Sequence, residues 1–274
     1  MKITLLCENE ASAMPWKAEW GFSAWVEYRG TNVLFDMGLS DVWRFNADHA
    51  GIDLDTVDVI AFSHIHRDHT KGVLWHGFNA PSGSDAAGAD QNRRKRVILH
   101  PRVMEPPPDI AEDRSNAAQD YAEIQSVLRR DFAVLESEGP QELAPGAFFL
   151  GHIPRVTPFE KGAYKDDPMP DDTALAFRTS KGAVVVSGCS HAGICNISEA
   201  AKQVTGQKLH AVIGGFHLLH AEDPPVDETI AWFRDEGVEV LLPMHCVEFD
   251  ILARFHAELG TRKLGAGSVI ELDD

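Results

Sequence analysis

The sequence predicts a layered α/β fold in which mixed strands are covered by helices on both faces. Two observations carry that expectation. Short apolar runs alternate with helical patterns along the chain. The first half is richer in consecutive strands, whereas the second half reads strand, helix, strand, helix, strand. A third observation ties the fold to chemistry, because several apolar runs end directly in histidine.

In chain order, Ile3–Leu6 opens the molecule as a strand, and Ser23–Tyr28 and Val33–Asp36 follow. A helix is expected over Asp41–Ala50, then strands over Val57–Phe62 and Val97–Leu99. Residues 77–96 are rich in Gly, Ala, Asp and Asn without periodicity, and Glu105-Pro106-Pro107-Pro108-Asp109 is similar, so both read as loops. They interrupt the chain without dividing it. The expectation is a single domain over 1–274 with a loop insertion around 77–118. A helix over Tyr121–Asp131 leads to strands at Ala147–Leu150, Ala174–Arg178 and Ala183–Ser187. Helix Ile194–Thr205, strand Ala211–Gly214, helix Asp227–Arg234, strand Val238–Leu242, helix Phe249–Leu259 and strand Ser268–Leu272 complete the series.

Composition bounds the partners. With 25 basic against 42 acidic residues the formal net charge is −17, which disfavours a nucleic-acid polyanion but not a small anion held at a metal. The one basic cluster, Arg93-Arg94-Lys95-Arg96, reads as a solvated loop end. The apolar run at Met1–Leu6 is too short for a signal peptide, and no stretch reaches the roughly 18 apolar residues of a membrane span. Cys7, Cys189, Cys195 and Cys246 are dispersed, with no CxxC pair. Free thiols in a reducing cytoplasm are therefore expected.

The strongest chemical signal is Ser63-His64-Ile65-His66-Arg67-Asp68-His69, where four potential ligands follow a buried-looking strand. Imidazole suits zinc, iron, copper and nickel. His64 and His66 are two apart, so a locally extended chain points both the same way. One loop does not complete a metal site. Val184–Val186 leads to Cys189 and His191, and Val238–Leu242 leads to His245 and Cys246. A further strand leads through Gly214-Gly215 to His217, a candidate for substrate contact, proton transfer or extra ligation. Several strand ends with the same chemistry point to convergence on one site.

The His-x-His-x-Asp-His pattern resembles that of the metallo-β-lactamase superfamily, and Leu34-Phe35-Asp36-Met37-Gly38 resembles the strand and turn that precede its metal motif. The resemblance covers nearly the whole chain. It implies a four-layer αβ/βα sandwich with metal at the edge between two facing sheets, and a supporting role for Asp36 behind the ligands. Gly188-Cys189-Ser190-His191-Ala192-Gly193, Gly214-Gly215-Phe216-His217-Leu218 and Pro243-Met244-His245-Cys246 resemble one subgroup. It is the group related to 7,8-dihydropterin-6-methyl-4-(β-D-ribofuranosyl)aminobenzene-5′-phosphate synthase. Cys7-Glu8-Asn9-Glu10, Trp20-Gly21-Phe22-Ser23 and Ile153-Pro154-Arg155 with Phe159-Glu160 extend the match.

Departures from the superfamily pattern fall at the metal rim. Gly188-Cys189 stands where a Gly-Asp usually supplies a bridging carboxylate, so His191 or Cys189 must stand in. Lys71 replaces a Gly, and Val247-Glu248 replaces a Thr-Gly pair. Gly151-His152 could fill a slot that often carries a ligand, which makes His152 a further candidate.

The expected centre holds two divalent ions, zinc first, with manganese or iron as alternatives. His64, His66 and His191 would hold one ion; Asp68, His69 and His245 the other. The expected activity is hydrolysis of a small phosphorylated or ester-like metabolite by metal-bound hydroxide. Asp68 would orient the water, His217 would protonate the leaving group, and Arg155, Lys71 and Phe159 would contact an anionic substrate. Two alternatives stand beside it. One is a transferase condensing a dihydropterin pyrophosphate with an aminobenzene ribofuranosyl phosphate, for which Trp16, Trp20, Phe22 and Phe159 could offer stacking faces. The other is a metal-binding sensor with little catalysis.

Overall fold

Alternation along the strands sets the layers of the molecule, because successive strand side chains face opposite sides. The structure is a computed structural model that describes residues 1–78, 94–105, 116–161, 168–219 and 224–274. The first sheet contains β1 (Lys2–Cys7), β2 (Ser23–Tyr28), β3 (Thr31–Phe35), β4 (Val59–Ala61), β5 (Arg96–Leu99) and β6 (Ala133–Glu136). The second contains β7 (Gln141–Ala144), β8 (Ala147–Phe149), β9 (Ala174–Arg178), β10 (Ala183–Ser187), β11 (Leu209–Gly215) and β12 (Val240–Met244). The last strand, β13 (Val269–Glu271), returns to pair with β1, giving the orders β13-β1-β2-β3-β4-β5-β6 and β12-β11-β10-β9-β8-β7.

Within β10, Val184 and Val186 face the space between the sheets while Ala183 and Val185 face the helices. In β1, Ile3 and Leu5 face inward and Leu6 faces the opposite layer. Both faces of these strands are buried, which is why they read as continuous apolar runs. Helices α1 (Val42–Ala50) and α3 (Asn116–Asp131) cover the outer face of the first sheet, through Trp43, Ala47, Ile124 and Leu128. Between them in sequence lies a one-turn helix, α2 (Arg67–Thr70). Helices α4 (Ile194–Thr205), α5 (Val226–Glu236) and α6 (Phe249–Leu259) cover the second sheet through Ile197, Ile230 and Phe255. The result is the helix–sheet–sheet–helix sandwich expected from the sequence.

Strand direction positions the site. β3, β4 and β5 run parallel, and so do β10, β11 and β12. Parallel strands deliver their C-terminal ends to one edge, where ligands bind in α/β sheets.

Several boundaries differ from the sequence expectation. β12 runs to Met244 through Pro243, two residues beyond the expected Leu242 end. Proline cannot donate to a ladder, but β12 is an edge strand and loses nothing there. β6 and β7 were not expected at all. Both are edge strands with partly exposed residues; β7 lacks an apolar run, and the run in β6, Ala133-Val134-Leu135, is short and directly continues helix α3. The helix expected from Tyr121 begins at Asn116. Much of the expected insertion around 77–118 lies outside the described residues, although β5 and a short 3₁₀ turn at Pro101–Met104 fall within it.

Candidate metal centre

The site is built where the two sets of parallel strands end. Ser63 and His64 leave β4, and the chain then turns into α2, which carries Asp68 and His69. From the second sheet, β10 delivers Cys189 and His191, β11 delivers His217, and β12 delivers His245 and Cys246. The turns are tight. Ser190, His217 and His245 have φ of 67°, 50° and 55°, and Asp36 has 56°, a strained region for side chains other than glycine. At Gly188 a Cβ would sit 2.2 Å from Ser63 Oγ and 2.7 Å from Asp36 Oδ2, so only glycine lets β10 approach the His64 loop.

Two groups of donors form. The rings of His64, His66 and His191 lie with centroids 4.7–4.8 Å apart. Beside them, His69 Nε2 and His245 Nε2 are 3.2 Å apart, and Asp68 Oδ2 lies 3.6 Å from the first and 3.4 Å from the second. Cys189 Sγ is common to both groups, falling within 4.8 Å of the donor atoms of His64 and His191 and also of His69 and His245. The thiol therefore sits between the groups, where a bridging carboxylate was expected to be missing. Its neighbour is Cys246, with the two sulfurs 3.0 Å apart as free thiols.

Hydrogen bonds behind the ligands fix which ring nitrogen faces the site. Asp36 accepts from Ser63 N at 2.8 Å and from Ser63 Oγ at 2.6 Å, and its Oδ2 lies 2.7 Å from His69 Nδ1. The Ser63 hydroxyl proton is thus committed to Asp36, so Ser63 Oγ must accept from His64 Nδ1, 2.8 Å away. His69 Nδ1 likewise donates to the carboxylate. Both rings turn an unprotonated Nε2 inward. His64 Nε2 is fully buried with no hydrogen-bond partner among the described residues. Such an atom is costly unless something binds it, and it fits a metal ion.

The electrostatics agree. Burial, then the neighbouring imidazoles of His69, His66 and His191, push His64 well below the ordinary histidine value. Burial and His217 do the same to His191, so both are neutral and able to ligate. Burial would raise the Asp68 carboxyl, but the imidazoles of His69 and His245 outweigh it and hold it well below the usual carboxylate range. Burial disfavours charge on His245, yet its contact with Asp68 raises it. Burial and the Cys246 sulfur raise the Cys189 thiol well above its ordinary value.

The other residues singled out from the sequence fall in different surroundings. His217 is half-buried with its ring 4.1 Å from that of His191. His152 is exposed, its Nδ1 3.1 Å from the Pro170 carbonyl, and it joins neither donor group. Lys71 Nζ pairs with Asp120 at 2.8 Å, as does Arg67, which ties α2 to α3. Arg155 donates to the Pro168 carbonyl. Phe159 packs against the core under α4. Among the four aromatic residues considered for stacking, Phe22 is buried and Trp16 packs on His49 with centroids 4.7 Å apart. Trp20 is half-exposed, with its ring 5.3 Å from His245.

Asp171 and Asp172 carry no local sequence signal yet reach the site. Asp171 Oδ2 accepts from Ile65 N at 2.7 Å, and Asp172 Oδ2 accepts from Ala192 N at 2.8 Å. One acidic pair thus steers both ligand-bearing loops. Its partners are distant in sequence, so no local spacing could reveal it.

No family model matches the chain. Among curated proteins it is similar to the 7,8-dihydropterin-6-methyl-4-(beta-D-ribofuranosyl)-aminobenzene-5'-phosphate synthase of Methanocaldococcus jannaschii. The two are 29% identical over 298 residues, covering 99% of this chain and 96% of the relative. Among solved structures it is similar to Tm1679, a metal-dependent hydrolase of the beta-lactamase superfamily, with a TM-score of 0.77, 28% identity and full coverage of both chains (100% each). The metallo-beta-lactamase fold protein YhfI of Bacillus subtilis shares the fold at a TM-score of 0.58 and 14% identity, over 98% of this chain and 99% of the other. Fold, ligand motif and full-length similarity together make this chain a metallo-β-lactamase-fold enzyme, similar along its whole length to the dihydropterin aminobenzene phosphate synthase.

Proposed function

We propose that this enzyme is a metal-dependent hydrolase of a small phosphorylated or ester-like metabolite, working at two adjacent divalent cations. The observation that carries the reading is the convergence of two donor groups, His64/His66/His191 and Asp68/His69/His245, on one partly buried floor that includes the bare Nε2 of His64. Cys189 lies between them as a shared donor. Zinc suits a set of imidazole, carboxylate and thiol best, and manganese and iron are the alternatives. When bound, a pair of such ions acidifies a water and polarises the centre that is attacked.

The chain's own residues do the rest. Asp68, held ionised by His69 and His245, accepts a hydrogen bond from the attacking water and orients it. His217, half-buried beside His191, delivers a proton to the leaving group. Arg155 is the cation proposed to meet an anionic substrate; it lies close enough to Asp172 to act on its carboxyl. Lys71 could join it only by releasing Asp120. A net charge of −17 supports a small substrate over a nucleic acid. Among the described residues, no helix is long and apolar enough to cross a membrane. Four free, buried cysteines support a reducing cytoplasm as the working compartment.

A second reading is pterin transfer, favoured by the similarity to the synthase and by the half-exposed Trp20 ring beside His245. The test is to load the purified enzyme with zinc, manganese or iron and supply two substrate sets. One is simple phosphodiesters, phosphomonoesters and esters; the other is a dihydropterin pyrophosphate with an aminobenzene ribofuranosyl phosphate. Hydrolysis that disappears in Asp68→Ala supports the proposal. Condensation without hydrolysis moves the assignment to the transferase. Metal binding without turnover of either set would overturn both and leave a sensor.

A further inference from the structure

The motif Cys7-Glu8-Asn9-Glu10 has no role in the reading above, yet it reaches the metal centre from the end of β1. His245 leaves β12 with φ 55°, a backbone conformation that needs support. Three hydrogen bonds from the first sheet supply it. Glu8 Oε1 accepts from His245 N at 2.9 Å, Asn9 Nδ2 donates to His245 O at 2.8 Å, and Asn9 Oδ1 lies 3.0 Å from His245 Nδ1.

The orientation of the Asn9 amide is fixed twice over. Its nitrogen must face the His245 carbonyl, and its oxygen must face Gly21 N–H, which donates to it at 3.2 Å. The oxygen can only accept, so His245 Nδ1 is the donor in that pair and Nε2 faces Asp68 and His69. Asn9 therefore sets the backbone, the ring angle and the tautomer of His245 at once. Its counterpart on His69 is the Asp36 carboxylate, at the shorter distance of 2.7 Å. A carboxylate raises the basicity of the imidazole it backs, whereas a neutral amide orients it with little added donor strength.

We propose that Asn9 is a positioning residue that governs how tightly the Asp68/His69/His245 ion is held, leaving the His64/His66/His191 ion unaffected. The proposal rests on the two-ion reading above. The test is stepwise removal of zinc from the loaded full-length enzyme with a chelator, counting ions per chain and following the melting of the zinc-free protein. The wild type should release its ions in two phases. Asn9→Ala should weaken one phase roughly 10–100-fold, the usual effect of removing a partner behind a metal ligand, and leave the other unchanged. Asn9→Asp keeps an acceptor facing Nδ1 but loses the donor to the His245 carbonyl, so it separates the ring contact from the backbone contact and should hold that ion more tightly than Asn9→Ala does. Asn9→Leu, nearly isosteric and without polar atoms, repeats the alanine test if Asn9→Ala does not fold. Loss of both ions together in Asn9→Asp as well as Asn9→Ala would mean a merely structural role and overturn the proposal. Retention of both ions by Asn9→Ala and Asn9→Leu would also overturn it while leaving the two-ion reading intact. A wild type that holds fewer than two ions would sink the two-ion reading, and the proposal with it.

Discussion

The two sheets furnish the metal centre in different ways. The first sheet concentrates His64, His66, Asp68 and His69 on one loop after β4. The second sheet spreads its donors over three strand ends, with Cys189 and His191 after β10, His217 after β11 and His245 after β12. The anchoring differs as well. The loop of the first sheet hangs on two carboxylates, Asp36 behind Ser63 and His69, and Asp171 under Ile65. The donors of the second sheet are held by more dispersed contacts, Asp172 under Ala192 and Glu8 and Asn9 around His245. A single loop can evolve as one unit. A set of donors on three strands depends on sheet register, so its errors are errors of fold.

The contrast predicts where damage concentrates. The largest effect belongs to Asp68, which faces both His69 and His245. Asp68→Ala should lower kcat on a hydrolysed ester by roughly 10²–10⁴-fold, the range expected for a group that handles the reacting water. Steady-state kinetics on zinc-loaded protein would check this. Next is Asp36, whose single carboxylate serves Ser63 and His69. Asp36→Asn should weaken zinc binding by roughly 10–100-fold in a competitive chelator titration, because it strips the charge behind His69.

The junction between the sheets comes third. Gly188→Ala would drive a methyl group into Ser63 Oγ and Asp36 Oδ2, at 2.2 and 2.7 Å. It should destabilise the protein by about 1–3 kcal/mol in urea denaturation and reduce metal content as well. Gly139→Ala, where the backbone is not left-handed and a Cβ meets nothing within 4 Å, is the control for an added methyl group without a clash.

The last effect is a pH slope, small over any single pH unit. Burial raises the Asp172 carboxyl to about 7, against the hydrogen bond donated by the Ala192 backbone N–H, which lowers it. Its folded value exceeds its unfolded one, so between roughly pH 4 and 7 the folded state holds a proton that the unfolded state has lost. Stability of the metal-free protein should therefore fall as pH rises through that window, by at most ~1.4 kcal/mol per pH unit. Asp172→Asn should flatten the slope, and melting curves at several pH values would measure it.

Much of the fold was legible because buried strands carry apolar runs on both faces, as Val184–Val186 and Ala211–Ile213 do. The concentrated loop at His64–His69 was legible for a similar reason, since its donors lie within one turn of chain. What sequence could not supply lies at edges and across long separations. β7 carries polar residues, as edge strands do, the short apolar run of β6 merges with the end of α3, and β12 continues through Pro243, which an edge strand tolerates. Asp171 and Asn9 act on partners 106 and 236 residues away, and no local pattern encodes such contacts. The sequence left open whether Cys189 or His191 stands in for the bridging carboxylate, and Cys189 is the one shared by both donor groups.

If both sheets contribute to one two-ion centre, metal stoichiometry will show it. Protein purified without added metal, then reconstituted, would be analysed for zinc, manganese and iron beside His66→Ala and His191→Ala. The wild type should hold about two ions per chain and each variant should lose about one, because one ion depends on both sheets. Metal content unchanged by His191→Ala, or no bound metal even after reconstitution, would contradict it.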